Sequence, residues 1–224
     1  MRSAVWFILL GLLVGGFGCA SAPSLGEPVD DAARRAALVQ AYPRPDVPQA
    51  VFRTLIRWGA REVSLTEVVK VSPEGGLSVA GVTDIGSTLY AAQVDPEGHG
   101  HVLRKSLPFS DQWLLDSLIA DLLVLWNPPK ETCQLRKQAD QKDPKRDTSR
   151  LGTQTWALVC PEQNITRVFL FDEAGSWQQF QRLRGSRLLS RTSLEWDGQP
   201  IPRIMRVDNL DKHYRVVRER VSVR

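Results

Sequence analysis

Short apolar runs separated by turn residues dominate the chain from residue 51 onward. Residues 51–58, 61–71, 77–83, 86–95 and 100–107 are rich in Val, Leu, Ile, Thr and Tyr, and the sequences GA, PEGG, DIG and DPEGHG punctuate them. Such runs, bounded by Gly, Pro and Asp, predict strands joined by hairpin turns in an antiparallel meander. The same pattern resumes at about residues 132–137, 152–160, 165–172, 176–183, 187–196, 203–208 and 211–223.

Two stretches break this pattern with helical spacing. Residues 27–42 predict a first helix, with Pro28 near its start, acids in the first turn, alanines in the middle and Pro43 as its stop. Residues 43–48 (PRPDVP) form a linker that no helix can continue through. Residues 110–126 predict the second helix. Ser110 is its N-cap and Asp111 suits the first turn. Leu114, Leu115, Leu118, Ile119, Leu122, Leu125 and Trp126 cover one broad face, and Pro128 and Pro129 end it. So apolar a helix must lie against a large apolar surface, while Asp116 and Asp121 argue against a membrane span. Residues 138–150 hold no apolar side chain larger than alanine and predict a loop.

About a dozen strands with two substantial helices give an α+β class that is mainly antiparallel β. One large curved sheet wrapping a helix is the economical arrangement, because a flat sheet that wide tends to curl or split. A closed small barrel is the alternative.

The N-terminus has a separate logic. Arg2 is followed by an uncharged apolar run, residues 4–14, then small residues and Cys19. The run is too short for a permanent span and matches a signal peptide. Gly18 before Cys19 suits a lipoprotein signal, with residues 1–18 removed and a diacylglycerol and an N-acyl chain carried on Cys19. Gly16 and Phe17 are less usual there, and a plain secretory cut near Ala20 or Ala22 is the other reading. Ala20 rather than aspartate after the cysteine implies an outer-membrane anchor facing the periplasm. Residues 19–47 then form the lipidated N-terminus, first helix and linker, and residues 48–224 the folded domain.

Charge narrows the partners. Lys+Arg 29 against Asp+Glu 25 gives +4, and removing Arg2 with the signal leaves about +3, with signs interspersed. No basic stripe for nucleic acid is visible. Cys133 and Cys160 lie in strand-like segments on either side of the polar loop. In an oxidising periplasm they read as a disulfide, against the alternative of two buried thiols.

Candidate catalysis is sparse. His99 and His101 flank Gly100 near Asp95 and Glu97, a weak surface chelate at most. His213 stands alone in the last strand, and the pairs Asp30–Asp31 and Asp116–Asp121 read as solvated helix faces. No nucleophile motif, phosphate loop or dinucleotide fingerprint is present. The seven tryptophans, Trp113, Trp126, Trp156 and Trp196 among them, suit a core or the wall of an acyl-chain cavity.

One segment is more specific. Thr83-Asp84-Ile85-Gly86-Ser87, between two strands, resembles the Asn-Pro-Leu-Gly-Ser loop of the LolB family of outer-membrane lipoprotein receptors, with Gly-Ser kept, isoleucine for leucine and no proline. Residues 198–223 are similar to that family's closing strand pair. Residues 77–128 resemble a family of uncharacterised proteobacterial lipoproteins, thought related to LolB and often encoded beside aryl-polyene lipid genes. The resemblance implies a LolA/LolB-like half-barrel of eleven strands closed by helices, with an apolar cavity for acyl chains. It also implies that Ile85, flanked by Asp84 and Gly86, tips a loop that touches membrane lipid. Folding back of Ile85 under a neighbouring strand is the competing reading.

The expected function is therefore non-enzymatic. The chain would bind acyl chains of a lipoprotein or glycolipid, received from a periplasmic carrier, and assist their placement in the outer membrane, acting as a monomer. The alternative is an envelope scaffold or sensor of similar fold that binds another envelope protein.

Overall fold

The computed structural model describes residues 25–43, 45–138 and 155–224. The signal segment, Cys19 and residues 139–150 of the polar loop lie outside the described residues.

Each hairpin turn read from the sequence joins a pair of antiparallel strands. A two-residue strand β1 (Glu27–Pro28) is followed by helix α1 (Ala32–Ala41) and then by the meander β2 (Gln49–Trp58), β3 (Arg61–Val71), β4 (Leu77–Val82), β5 (Thr88–Val94) and β6 (Gly100–Lys105). A helical stretch over residues 111–123 separates this from a second meander. That meander runs through β7 (Gln134–Gln138), β8 (Thr155–Pro161), β9 (Thr166–Phe171), β10 (Trp177–Arg184), β11 (Arg187–Glu195), β12 (Ile204–Asn209) and β13 (Tyr214–Val223).

Among the described residues all thirteen strands belong to one sheet, in the order β1-β7-β8-β9-β10-β11-β12-β13-β2-β3-β4-β5-β6. The two meanders are joined by β13 and β2, paired from Tyr214↔Trp58 to Val223↔Ala50. Its edges, β1 and β6, are not paired with each other, so the closed barrel is not what forms. The strand count exceeds the implied eleven. The extra edge strand β1 is one the sequence did not suggest, since Glu27 and Pro28 were expected to be helical. Instead they pair with Lys137 and Arg136, where an edge tolerates the missing N–H of Pro28. Helix α1 starts only after Asp31, whose Oδ1 accepts from the Arg34 N–H at 2.7 Å.

Alternation of side chains gives the sheet two unlike faces. One face packs against both helical stretches and holds the main core. Phe52, Ile56, Leu65, Val69, Tyr90, Phe169, Phe171 and Val216 from the strands meet Leu38 and Tyr42 of the first helical region and Leu114, Leu118, Ile119 and Leu122 of the second. The opposite face has a smaller cluster, centred on Val159, Val168, Leu170 and Leu188 with Leu25 against it.

Because neighbouring strands run antiparallel, the turns fall at two ends of the sheet. The β2–β3, β4–β5, β8–β9, β10–β11 and β12–β13 turns share one end, called the upper end here. The β3–β4, β5–β6, β9–β10 and β11–β12 turns share the lower end, and the chain enters β1 from that end as well.

Candidate functional site

The β4–β5 loop is a short, internally bonded turn. The Gly86 N–H donates to the Thr83 carbonyl at 2.9 Å, and the Thr83 N–H donates to the Ser87 carbonyl at 2.9 Å. The Ser87 N–H donates to Thr83 Oγ1 at 3.0 Å. Gly86 sits at φ +81°, the left-handed region that closes such a turn and favours glycine. These bonds fix the loop without using the Ile85 side chain, which is 89% exposed. No other large apolar side chain described is as open to solvent; the next, Leu103, is 62% exposed and sits on the edge strand β6. The structure thus places Ile85 in solvent, not folded beneath a strand.

The helical stretch lies on the main core face. It begins α-helical as α2 (Asp111–Trp113), passes through a π-helical turn at Leu114–Ile119, and ends as α3 (Ala120–Leu123). Ser110 caps it as expected, with Oγ accepting from the Trp113 N–H at 3.0 Å. The wider π register appears where two acids on this stretch diverge. Asp116 stays at the surface with Gln112 on it at 2.7 Å. Asp121 is completely buried, which corrects the expectation of a solvated pair. Its Oδ2 accepts from the Tyr214 hydroxyl at 2.5 Å, and Arg182 approaches Oδ1 at 3.5 Å. Burial pushes the Asp121 carboxyl above the usual range, and Arg182 and Tyr214 only partly counter it.

Beside it lies a second buried charge set that the sequence analysis did not single out. Glu67 on β3 and Arg218 on β13 are both fully buried and bond through Nε at 2.6 Å and Nη2 at 3.3 Å. Thr54 Oγ1 donates to Glu67 at 2.6 Å, and the Tyr90 hydroxyl donates to its other oxygen. Burial alone would raise the Glu67 carboxyl. The Arg218 charge and the bonds from Arg218, Thr54 and Tyr90 outweigh it and hold the group below the usual range. Arg218 Nη2 also donates to the Leu118 carbonyl at 3.1 Å, tying the π-helical turn to the sheet. A signal existed: Glu67 falls between Leu65 and Val69, and Arg218 follows Tyr214 and Val216, at the inward positions of their strands.

Cys133 and Cys160 form the predicted disulfide across β8 and the residue preceding β7, with Cα atoms 4.5 Å apart. Among the described residues the tryptophans pack as core. Trp177 is buried against Tyr42 and Phe169, and Trp113, Trp126, Trp156 and Trp196 are partly buried against the main cluster. His99 Nδ1 lies 3.1 Å from Asp95 in the β5–β6 turn, and His101 is on β6. Among the described residues no group of three or more ligands for a metal ion occurs. His213 is not in the last strand but in the turn before it, at φ +54°. A cavity of about 360 Å³ opens there, lined by Arg57 and Gly59 of the β2–β3 hairpin and by the β12–β13 hairpin, including Asp208, Asn209, Leu210, His213 and Arg215.

No protein-family model matches this sequence, and no curated protein matches it. Solved structures do match in fold. A LolA superfamily protein from Nitrosomonas europaea is 11% identical at a TM-score of 0.52, over 85% of this chain and 92% of that one. A domain from Vibrio parahaemolyticus, named for outer membrane lipoprotein sorting, is 12% identical at a TM-score of 0.50, over 87% and 93%. At such identities the likeness is one of fold. An open antiparallel sheet packed on helices over nearly the whole length of both neighbours gives this chain a LolA-like fold.

Proposed function

We propose that this chain is an envelope lipoprotein that binds acyl chains of a lipoprotein or glycolipid and assists their placement in the outer membrane. The observation that carries the reading is Ile85, an isoleucine held 89% exposed at the tip of a loop whose own hydrogen bonds fix it. Exposing so large an apolar group in a turn has no folding benefit, and we read this tip as a membrane contact rather than as one of the single exposed apolar residues common on protein surfaces. Entry into the acyl region of a bilayer gains about 2 kcal/mol for an isoleucine. Asp84 beside it stays at the headgroup level.

The acyl chains would lie between the sheet and the helical stretch at residues 111–123, where the core is apolar apart from the two buried charge sets. Each methylene buried there gains roughly 0.8 kcal/mol, so two or three chains suffice for tight binding. The core is already filled by side chains, so the helical stretch yields as chains enter. Cys19 would carry the anchor, and the cargo would arrive from a periplasmic carrier.

Ile85→Glu tests the reading. The variant should melt within a degree or two of the parent, because an exposed turn residue contributes little to stability. Transfer of a fluorescent acylated cargo from the protein to vesicles should fall sharply, while cargo binding stays unchanged. Unimpaired transfer by the variant would sink the membrane-loop role and leave a scaffold as the better account.

A further inference from the structure

The cavity at the upper end is chemically unlike the apolar core. Arg57 and Arg215 face it from neighbouring strands, and they are direct cross-strand partners of β2 and β13. Among the described residues each is engaged only by a carboxylate near the surface, Arg57 with Glu62, and Arg215 with Asp208 at 2.9 Å. All four side chains are at least half exposed. Exposed pairs of this kind are worth little and exchange readily. Two guanidinium forks over one cavity suit a phosphate, which each can grip with two N–H groups. Leu210, 40% exposed, forms an apolar lip to the same cavity.

Charge is distributed unequally between the two ends of the sheet. At the lower end the turns 72–76, 95–99 and 172–176 carry Glu74, Asp95, Glu97, Asp172 and Glu173 and no lysine or arginine, while the fourth turn there, 196–203, holds Asp197 and Arg203, and Arg224 lies beside Gln49. At the upper end Arg57 and Arg61 flank one hairpin turn, Arg184 and Arg187 a second, and Lys212 and Arg215 a third. Glu62, Asp84, Glu162, Asp208 and Asp211 offset these six only in part. The basic end is also the end with the exposed Ile85. A surface that combines apolar tips with arginines fits a bilayer rich in anionic lipid, which attracts basic residues within a Debye length.

We infer that the upper end docks end-on against an anionic lipid surface, with a lipid headgroup phosphate seated between Arg57 and Arg215 and with Leu210 and Ile85 reaching past the headgroups. The acidic lower end, from which the chain enters β1, faces away. This deepens the membrane reading of Ile85 and rests on it only for that contact.

The test uses the full chain held on phosphatidylcholine vesicles and offered dye-labelled acceptor vesicles. Acceptors containing phosphatidylglycerol should be captured at least about fivefold better than pure phosphatidylcholine acceptors. The advantage should vanish near roughly 1 M salt. Arg57→Gln with Arg215→Gln should abolish the advantage, whereas Arg203→Gln with Arg224→Gln, at the lower end, should keep it. Equal loss from both pairs would overturn the docking face. Arg57→Lys with Arg215→Lys keeps the charge and loses the fork, so capture should fall part-way. Full retention there, or no competition from inorganic phosphate at fixed ionic strength, would overturn the phosphate seat. Ile85→Glu separates the two readings. If it captures normally while the glutamine pair does not, the loop role fails and the phosphate seat stands. If it loses capture while the glutamine pair retains it, the seat fails and the loop stands.

Discussion

Glu67 and Asp121 are both carboxylates fully buried in the same core, yet their surroundings drive them in opposite directions. Glu67 has Arg218, Thr54 and Tyr90 on its oxygens, and its folded pKa lies below the usual value. Its stabilising contribution is therefore present above the unfolded pKa and is lost as pH falls through the lower, folded one. Asp121 has a more distant arginine and one hydroxyl, and its folded pKa lies above the usual value. Its charged form is disfavoured on folding, so stability falls as pH rises from the unfolded pKa through the folded one. Glu67→Gln should destabilise at neutral pH by roughly 3–5 kcal/mol, because Arg218 is left charged and unpaired in the core. Thermal melts taken from the ordinary carboxylate range downward in pH should show that cost shrinking as the parent protein itself loses Glu67 ionisation, with little change above that range. Asp121→Asn should instead be close to neutral and should flatten the opposite slope. A large loss in Asp121→Asn at neutral pH would mean that Arg182 stabilises the carboxylate more than burial disfavours it.

At the scale of elements, the disulfide and the helical stretch decide how firmly the second meander is held. The bridge spans a sequence separation of 27 residues and pins the chain just ahead of β7 to β8. On the chain-entropy account, closing a loop of that size stabilises by roughly 3.5 kcal/mol. Urea unfolding of Cys133→Ala with Cys160→Ala should show a loss of that order in the extrapolated free energy. No change between oxidised and reduced parent protein would mean the bridge is absent in the folded chain. The helical stretch is held differently, through Arg218 on the Leu118 carbonyl and Arg182 on the Asp116 carbonyl at 2.9 Å. Those two arginines reach it from β13 and β10, with β11 and β12 between them in the sheet, so the stretch is fastened to the sheet by side chains rather than by a strand-like backbone ladder. A segment fastened in this way can yield while the sheet stays intact, as the acyl-binding proposal requires.

For the whole molecule, what matters is where the exposed loop lies relative to the proposed tether at Cys19. The chain enters β1 at the lower end, and the Ile85 loop is at the upper end. Residues 19–26 extended reach at most about 3.5 Å each, roughly 28 Å in all, comparable to the length of the longest strands at about 3.3 Å per residue. A protein anchored at Cys19 can therefore present its loop end away from the anchoring point or, with the tether fully drawn out, beside it. Cys19→Ser should abolish incorporation of labelled palmitate and shift the protein out of the outer-membrane fraction. Continued labelling of that variant would place the acyl chains elsewhere.

The strand segments, their turns and the two helical regions were legible in the sequence because local chemistry fixes them. Gly, Pro and Asp set the hairpins, Ser110 sets a cap, and apolar spacing sets the helical face. The Cys133–Cys160 pairing was legible from their strand-like flanks, and the Ile85 turn from an apolar residue caught between Asp84 and Gly86. Other features belong to tertiary structure alone. Whether Glu27 and Pro28 join a helix or a sheet edge depends on β7, more than a hundred residues away. Asp121 looks like any exposed helix acid until the π-helical turn and Tyr214 bury it. Glu67 and Arg218 meet only because β13 folds back beside β2, which brings residues 151 positions apart into contact. The cavity between Arg57 and Arg215 arises from that same pairing. Local sequence dictates which residues form a strand, but burial and charge pairing depend on which strands become neighbours, and only the folded sheet decides that.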